Sequence, residues 1–285
     1  MPIPTETVAP IIFVLGCVVG SFLNVCIYRM PRYRSVVAPP SHCPQCGARL
    51  AGRDLVPLLS FLALGGKCRR CGGMISWRYF LVELLTGVVF VATWLALGPG
   101  ARVMPAWIFA AMVIAVVFTD LDHMIIPDQL VLAGVAAAVI AQAMAAAQGQ
   151  AWLLFLPLAG VRIPIPTLVA GGAVGLVAFA LMRGFSQLLF RREGMGLGDV
   201  KLAGAIGAML GPLPALLSFG LAVLVGAVLG AGLLALRLRR RMEYLPFGPF
   251  MAVAALIVLL YSQAVWGAAR AAWTWYAALW GGAVS

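Results

Sequence analysis

Gly194-Met195-Gly196-Leu197-Gly198-Asp199-Val200-Lys201 puts one carboxylate at the mouth of an apolar segment, directly after a run of alternating glycines. Glycine permits backbone angles and close backbone approaches that a side chain forbids. Asp199 is therefore expected at a bent, partly unwound start of a helix, with room for an extended chain beside it. A second acidic stretch, Thr119-Asp120-Leu121-Asp122-His123-Met124-Ile125-Ile126-Pro127-Asp128, closes another apolar segment. Carboxylates at membrane depth are costly and mark function more often than packing. If both segments cross a membrane, Asp120 and Asp199 can meet at its surface, so hydropathy decides the fold.

The composition answers that question. Of 285 residues, 63% are hydrophobic and 10% charged, against roughly 45–50% and about 25% for soluble domains. This is the composition of an all-α integral membrane protein. The first apolar run follows no basic region and no small-residue cleavage site precedes the polar stretch, so it reads as a retained span, not a cleaved signal peptide. The net charge of +11 reports membrane topology before it reports partners. Nucleic-acid binding is disfavoured, because the basic residues are split among loops flanking apolar spans.

Segments long enough to cross lie at about 8–28, 79–97, 105–120, 129–147, 166–184, 213–236 and 246–263. A bilayer core asks for ~20 helical residues, with a lower limit near ~17. Residues 201–210 are short for a span, yet charge argues that they cross. Arg183, Arg191, Arg192 and Lys201 precede this stretch, and Arg237, Arg239, Arg240 and Arg241 follow the next span. Two crossings between the clusters keep both on the cytoplasmic side, as the positive-inside rule prefers. About eight transmembrane helices result, with all of the 20 Lys and Arg inside except Arg102, Arg162 and Arg270. Asp120 and Asp199 then fall at the same face, which the charge argument did not require. The divisions are a first transmembrane helix (1–28), a cytoplasmic module (29–78), a multi-span domain (79–263) and a tail (264–285). The tail carries Trp266, Trp273, Trp275 and Trp280, which suits an interfacial or membrane helix. Glycine pairs at 171, 172 and 175, at 204 and 207, and at 226 and 230 read as close helix packing.

The module at 29–78 carries Cys43-Pro44-Gln45-Cys46-Gly47 and Cys68-Arg69-Arg70-Cys71-Gly72, with 21 residues between the pairs. Two C-x-x-C pairs at this spacing are a zinc signal. Four thiolates fill a tetrahedral site and make it structural, since a catalytic zinc keeps an open position. Two disulfides are the alternative, and the reducing cytosol disfavours them. His42 could replace a thiolate, but four cysteines suffice. Cys17 and Cys26 in the first span read as apolar packing. The basic residues of the module, among them Arg49, Arg53 and Lys67, read as a solvated face near anionic headgroups of membrane lipid.

Of the nine acidic residues, four lie in the two opening stretches. Asp128 follows Pro127 and reads as a helix-start residue. Asp122 reads as a solvated loop residue. Asp120 and Asp199 are the candidates for a facing pair. Two close carboxyls cannot both ionise easily and share a proton. One then acts as general base on a water and the other as general acid. Neither His42 nor His123 has an evident nucleophile partner, and no G-x-S-x-G stretch suggests a serine hydrolase. The reading from residues is an intramembrane aspartyl protease, with a proton-coupled transporter as the rival.

The ordered motifs resemble the prepilin peptidases, the type IV leader peptidases of bacterial pilus and type II secretion systems. Gly20-Ser21-Phe22-Leu23-Asn24-Val25-Cys26-Ile27-Tyr28-Arg29-Met30-Pro31 looks like the first-span signature. The two C-x-x-C pairs, Arg78-Tyr79 and Val82-Glu83-Leu84-Leu85-Thr86-Gly87 look like the insert and its flank. D-x-x-x-x-x-I-P-D and G-x-G-D follow in family order, ending near Pro246-Phe247-Gly248-Pro249. The resemblance implies Asp120 and Asp199 as the catalytic pair, in the bacterial inner membrane with the active site facing the cytoplasm. It implies type IV prepilins and type II secretion pseudopilins as substrates, cut after a short basic leader. It also implies N-methylation of the new terminus with S-adenosylmethionine, peptidase activity alone being the alternative. No glycine fingerprint locates the methyl-donor site. The 79-residue interval between Asp120 and Asp199 looks long, with the surplus expected at Gln148 to Pro166 on the outer side.

Overall fold

The computed structural model describes residues 5–149, 153–158, 161–190, 195–235, 246–261 and 267. The elements in chain order are α1 (Thr5–Arg29), α2 (Leu59–Ala63), α3 (Trp77–Leu97), α4 (Val103–His123), α5 (Asp128–Ala147), β1 (Leu153–Leu158), β2 (Val161–Pro166), α6 (Thr167–Phe190), α7 (Leu197–Leu210) and α8 (Pro212–Ala235). A last helix, α9, runs Gly248–Tyr261. Gly194, Arg191, Arg192, the arginines from 237 to 241 and, apart from Gly267, the tail at 264–285 lie outside the described residues.

Among the described residues six helices, α1, α3, α4, α5, α6 and α8, are long and apolar enough to cross a membrane. The two other segments expected as spans form shorter helices. α7 has 14 residues, about 21 Å of helix at ~1.5 Å per residue, short of the ~30 Å hydrocarbon core. α9 is likewise a shorter apolar helix. α7 also starts at Leu197, four residues before the expected Lys201, with Gly196 as its extended N-cap. Asp199 therefore sits inside the first helical turn, not in a partly unwound stretch before it. Gly196 has φ −72°, so the backbone there needs no glycine-only conformation.

The surplus between 148 and 166 holds an antiparallel hairpin, with Leu153 opposite Pro166 and Leu158 opposite Val161. Pro157, Pro164 and Pro166 explain why this apolar stretch does not continue as helix: each lacks an amide proton and clashes with the preceding turn. The expectation of a purely helical protein therefore gains a β-hairpin at the end of the bundle away from the cysteines.

α4 lies at the centre. It packs on α1, α3 and α5, while α7 packs on α5, α6 and α8. Phe109, Met112, Val113 and Val116 of α4 share one buried cluster with Leu202 and Ile206 of α7, Phe179 of α6 and Met251 of α9. Glycine sets the closest helix approaches. A Cβ on Gly16 would lie 2.7 Å from Gly87 Cα, and one on Gly20 2.8 Å from Glu83 Cα, so α1 and α3 touch backbone to backbone. Gly171 and Gly207 do the same for α6 and α7, each aimed at the other's carbonyl. Among the described residues the expected role is not met at Gly230, where a Cβ would have nothing within 4 Å, or at Gly226, where the nearest neighbour is Phe250 at 3.7 Å.

Candidate functional site

Asp120 occupies the last turn of α4, where it is buried at 6% exposure. Met124 ends that helix in the left-handed conformation (φ 52°), and its amide donates to the Asp120 carbonyl at 2.8 Å. The chain then turns through Ile125 and Ile126 to Pro127, the extended N-cap of α5. Asp199 comes from the start of α7, and its Oδ2 accepts from the Gly196 amide at 3.2 Å. The two carboxyls, far apart in sequence, lie within electrostatic reach of each other.

Ile126 explains the spacing of both motifs. A Cβ on Gly198 would lie 3.1 Å from Ile126 Cβ, and a Cβ on Gly248 would lie 3.2 Å from Ile126 Cδ1. The isoleucine between Asp120 and Pro127 thus wedges between the starts of α7 and α9. A side chain at Gly198 would push it out, together with the turn of α7 that carries Asp199. Gly248 is a site residue that sequence reasoning did not single out. A Cβ there would lie 2.5 Å from Asp120 Oδ2, an oxygen that is buried without a hydrogen-bond partner among the described residues. The signal available was the glycine between Phe247 and Pro249 at the mouth of a span.

The neighbouring carboxylates do other work. Asp122, expected as a solvated loop residue, sits in the last turn of α4 and pairs with Arg78 at the start of α3. Asp128 opens α5 as expected and pairs with Lys201 of α7, Nζ to Oδ1 at 2.7 Å. His123 Nε2 lies 3.4 Å from an Arg32 guanidinium nitrogen beyond the end of α1. These contacts tie α1, α3, α4, α5 and α7 together at one end of the bundle, the end that carries the cysteine module.

In that module Cys43, Cys46, Cys68 and Cys71 have sulfur atoms all within 4.8 Å of one another. Each pair forms the same tight turn. The Gly47 amide donates to the Cys43 carbonyl and the Gly72 amide to the Cys68 carbonyl, both at 2.9 Å. Gly47 and Gly72 have φ of 68° and 70°, which is why glycine follows each second cysteine. A tetrahedral zinc with Zn–S near ~2.3 Å needs sulfurs about 3.8 Å apart; Cys43 and Cys71 sulfurs are 3.9 Å apart. All four cysteines are free thiols. Backbone amides of Cys71 and Arg70 lower the Cys68 thiol, whereas, against the pull of the Gly73 amide, hydrogen bonds with the neighbouring sulfurs raise that of Cys71; a metal would hold all four as thiolates. The donor set fits zinc. His42 is outside the cluster, its Nδ1 3.3 Å from the Pro40 carbonyl. Cys17 and Cys26 are buried in α1 as expected.

The chain is similar to known proteins along nearly its whole length. The profile described as Bacterial Peptidase A24 N-terminal domain matches residues 14–97, and that described as Type IV leader peptidase family matches residues 107–231. The Prepilin leader peptidase/N-methyltransferase of Aeromonas salmonicida is 37% identical over 90% of this chain and 91% of its own length. The proteins of the same name from Bacillus subtilis and Pseudomonas aeruginosa are 32% and 33% identical. They match 90% and 88% of this chain, and 95% and 89% of their own lengths. No solved structure matches the chain. With motifs, paired carboxylates and whole-length similarity in agreement, the chain belongs to the type IV leader peptidase family.

Proposed function

We propose that this protein is a membrane aspartyl endopeptidase that removes the leader from type IV prepilins or pseudopilins, and then N-methylates the new terminal residue with S-adenosylmethionine. The convergence of Asp120 and Asp199 at one end of the bundle carries this reading. With one carboxyl ionised and the other protonated, the ionised group takes a proton from water as that water attacks the scissile carbonyl. The protonated group donates to the carbonyl oxygen. The tetrahedral adduct then collapses, the C–N bond breaks and the amine leaves with a proton. Such general acid and base assistance is worth about 10²–10⁴ in rate.

A prepilin is itself an apolar helix preceded by a basic leader, so its cut site belongs at the inner surface of the bacterial cytoplasmic membrane. The site would face the cytoplasm, with α7 and α9 completing eight crossings. Residues 79–263 form the protease domain and residues 29–78 a structural zinc module. Cys43, Cys46, Cys68 and Cys71 would hold the ion, which supplies folding energy to a segment with little core of its own. Mass spectrometry of a co-expressed prepilin tests both activities at once. The expected N-terminus lacks the leader and is heavier by one methyl group. A trimmed, unmethylated terminus would reduce the function to the peptidase, and an intact leader would sink the reading.

A further inference from the structure

The short helix α7 carries Asp199 ahead of the stretch that α6 grips. The closest approaches to α6 run from Ala203 to Gly207: a Cβ on Gly175 would meet the Ala203 carbonyl, and one on Gly171 the Gly207 carbonyl. Asp199 precedes Ala203 by four residues, about 6 Å along the axis. The segment joining α4 to α5 reaches this first turn at two places. Ile126 lies against Gly198, where a Cβ would be 3.1 Å from the isoleucine Cβ. Lys201 Nζ donates to Asp128 Oδ1 at 2.7 Å. These two contacts bracket Asp199 in sequence, and the segment that makes them starts at the helix end holding Asp120.

We infer that Asp128 and Lys201 form a clamp that sets Asp199 against Asp120, and are therefore positioning residues for proteolysis. The inference rests on the reading of Asp120 and Asp199 as the proteolytic pair. Local helix physics does not account for the bond. Asp128 opens α5, where a carboxylate suits the helix dipole, but that benefit needs no partner on α7. Lys201 is the fifth residue of α7, near the positive end of the helix, where the dipole gives a cation no advantage.

Folding energy does not account for it either. The Lys201 and Asp128 side chains are 48% and 65% exposed, and exposed ion pairs contribute little to stability. Rate is far more sensitive to position, since a displacement of ~1 Å can cost on the order of 10²-fold. Asp199 Oδ2 accepts from the Gly196 amide at 3.2 Å, so its carboxylate moves with the first turn of α7. A shift of that turn changes the gap between two carboxyls that must share one proton.

The test measures kcat and KM for cleavage of a purified type IV prepilin by the full-length protein in detergent. The variants are Lys201→Met, Asp128→Asn and the two combined. Each single variant should lose roughly tenfold or more in kcat, with KM close to wild type and a melting temperature within a few degrees of it. The double variant should lose no more than either single one, because one substitution already opens the clamp. Lys201→Arg keeps a cation that reaches Asp128 and should recover most of the rate. Losses that multiply in the double variant would mean that the two residues act separately, and would overturn the clamp. Single variants that cleave at the wild-type rate would overturn it as well. A higher KM at unchanged kcat would assign the two residues to substrate binding, and a melting temperature that falls in step with the rate would reduce them to a fold contact. Full cleavage by Asp120→Asn or Asp199→Asn would overturn the proteolytic reading itself, and this inference with it. Inactive aspartate variants beside unimpaired clamp variants would overturn this inference alone.

Discussion

Asp120 is held by its helix end, lies against Ile126 and Gly248, and is within electrostatic reach of Asp199 from another helix. Asp120→Asn and Asp199→Asn keep the shape of each side chain but remove the ability to exchange a proton. Each should lower prepilin cleavage by roughly 10³-fold, measured as turnover of purified enzyme. Asp122→Asn forfeits only a part-exposed ion pair with Arg78, worth up to about 1 kcal/mol. Its cleavage rate should stay within a few-fold of wild type, and a complete loss would make Asp122 the partner of Asp199. Gly248 is a separate case, because a methyl group there collides with Asp120 Oδ2 at 2.5 Å. Overpacking of this kind costs about 1–3 kcal/mol, so Gly248→Ala should slow cleavage by roughly ten- to a hundredfold while the protein remains folded. An unimpaired Gly248→Ala enzyme would show that the start of α9 does not enclose the proposed catalytic pair.

At the scale of elements, two different devices hold the bundle and its appendage. α6 and α7 meet backbone to backbone at Gly171 and Gly207, whereas a Cβ on Gly230 of α8 would meet none of the described residues within 4 Å. Gly207→Val should lower the melting temperature measurably, by an overpacking cost of about 1–3 kcal/mol or more, and Gly230→Val should not. Equal effects would mean that helix propensity, not the α6–α7 contact, sets the outcome. The cysteine module has few buried apolar side chains: of residues 30–76 only Cys43, Gly66 and Cys68 are buried, and Gly66 has no side chain. Structural zinc contributes about 10 kcal/mol or more in comparable small modules. Removal of metal by a chelator, or Cys43→Ser, should therefore expose residues 36–75 to limited proteolysis, with zinc content falling in parallel. Protein that carries two disulfides and no metal after mild purification would refute the zinc site. The small helix α2 is held differently, through Phe61 against Trp77 and Phe80 at 5.7 and 5.4 Å between ring centres.

At the scale of the whole molecule, both carboxylates, the cysteine module and the starts of α5 and α7 occupy one end, and the β1–β2 hairpin the other. This polarity predicts a labelling pattern in intact cells. Leu154 is 37% exposed, so Leu154→Cys should react with a membrane-impermeant maleimide added from outside. Val37 in the cysteine module is 87% exposed, so Val37→Cys should react only after the cells are opened. Labelling of Val37→Cys from outside would invert the proposed topology and remove the proposed catalytic pair from the cytoplasmic face. Much of this arrangement was legible in the chain. Runs of apolar residues mark the spans because each must satisfy its own backbone in lipid. The basic loops orient them, and the spacing of the four cysteines marks a metal-binding pair of turns. Those signals are local, each contained in a window of a few to twenty residues. The contacts that make a site are not local. That Ile126 wedges between Gly198 and Gly248, that Asp122 pairs with Arg78 while Asp120 comes within electrostatic reach of Asp199, and that Asn24 and Glu83 line one cavity all depend on how separate helices dock. No single stretch of sequence encodes those distances, so only the packing of the folded chain decided them.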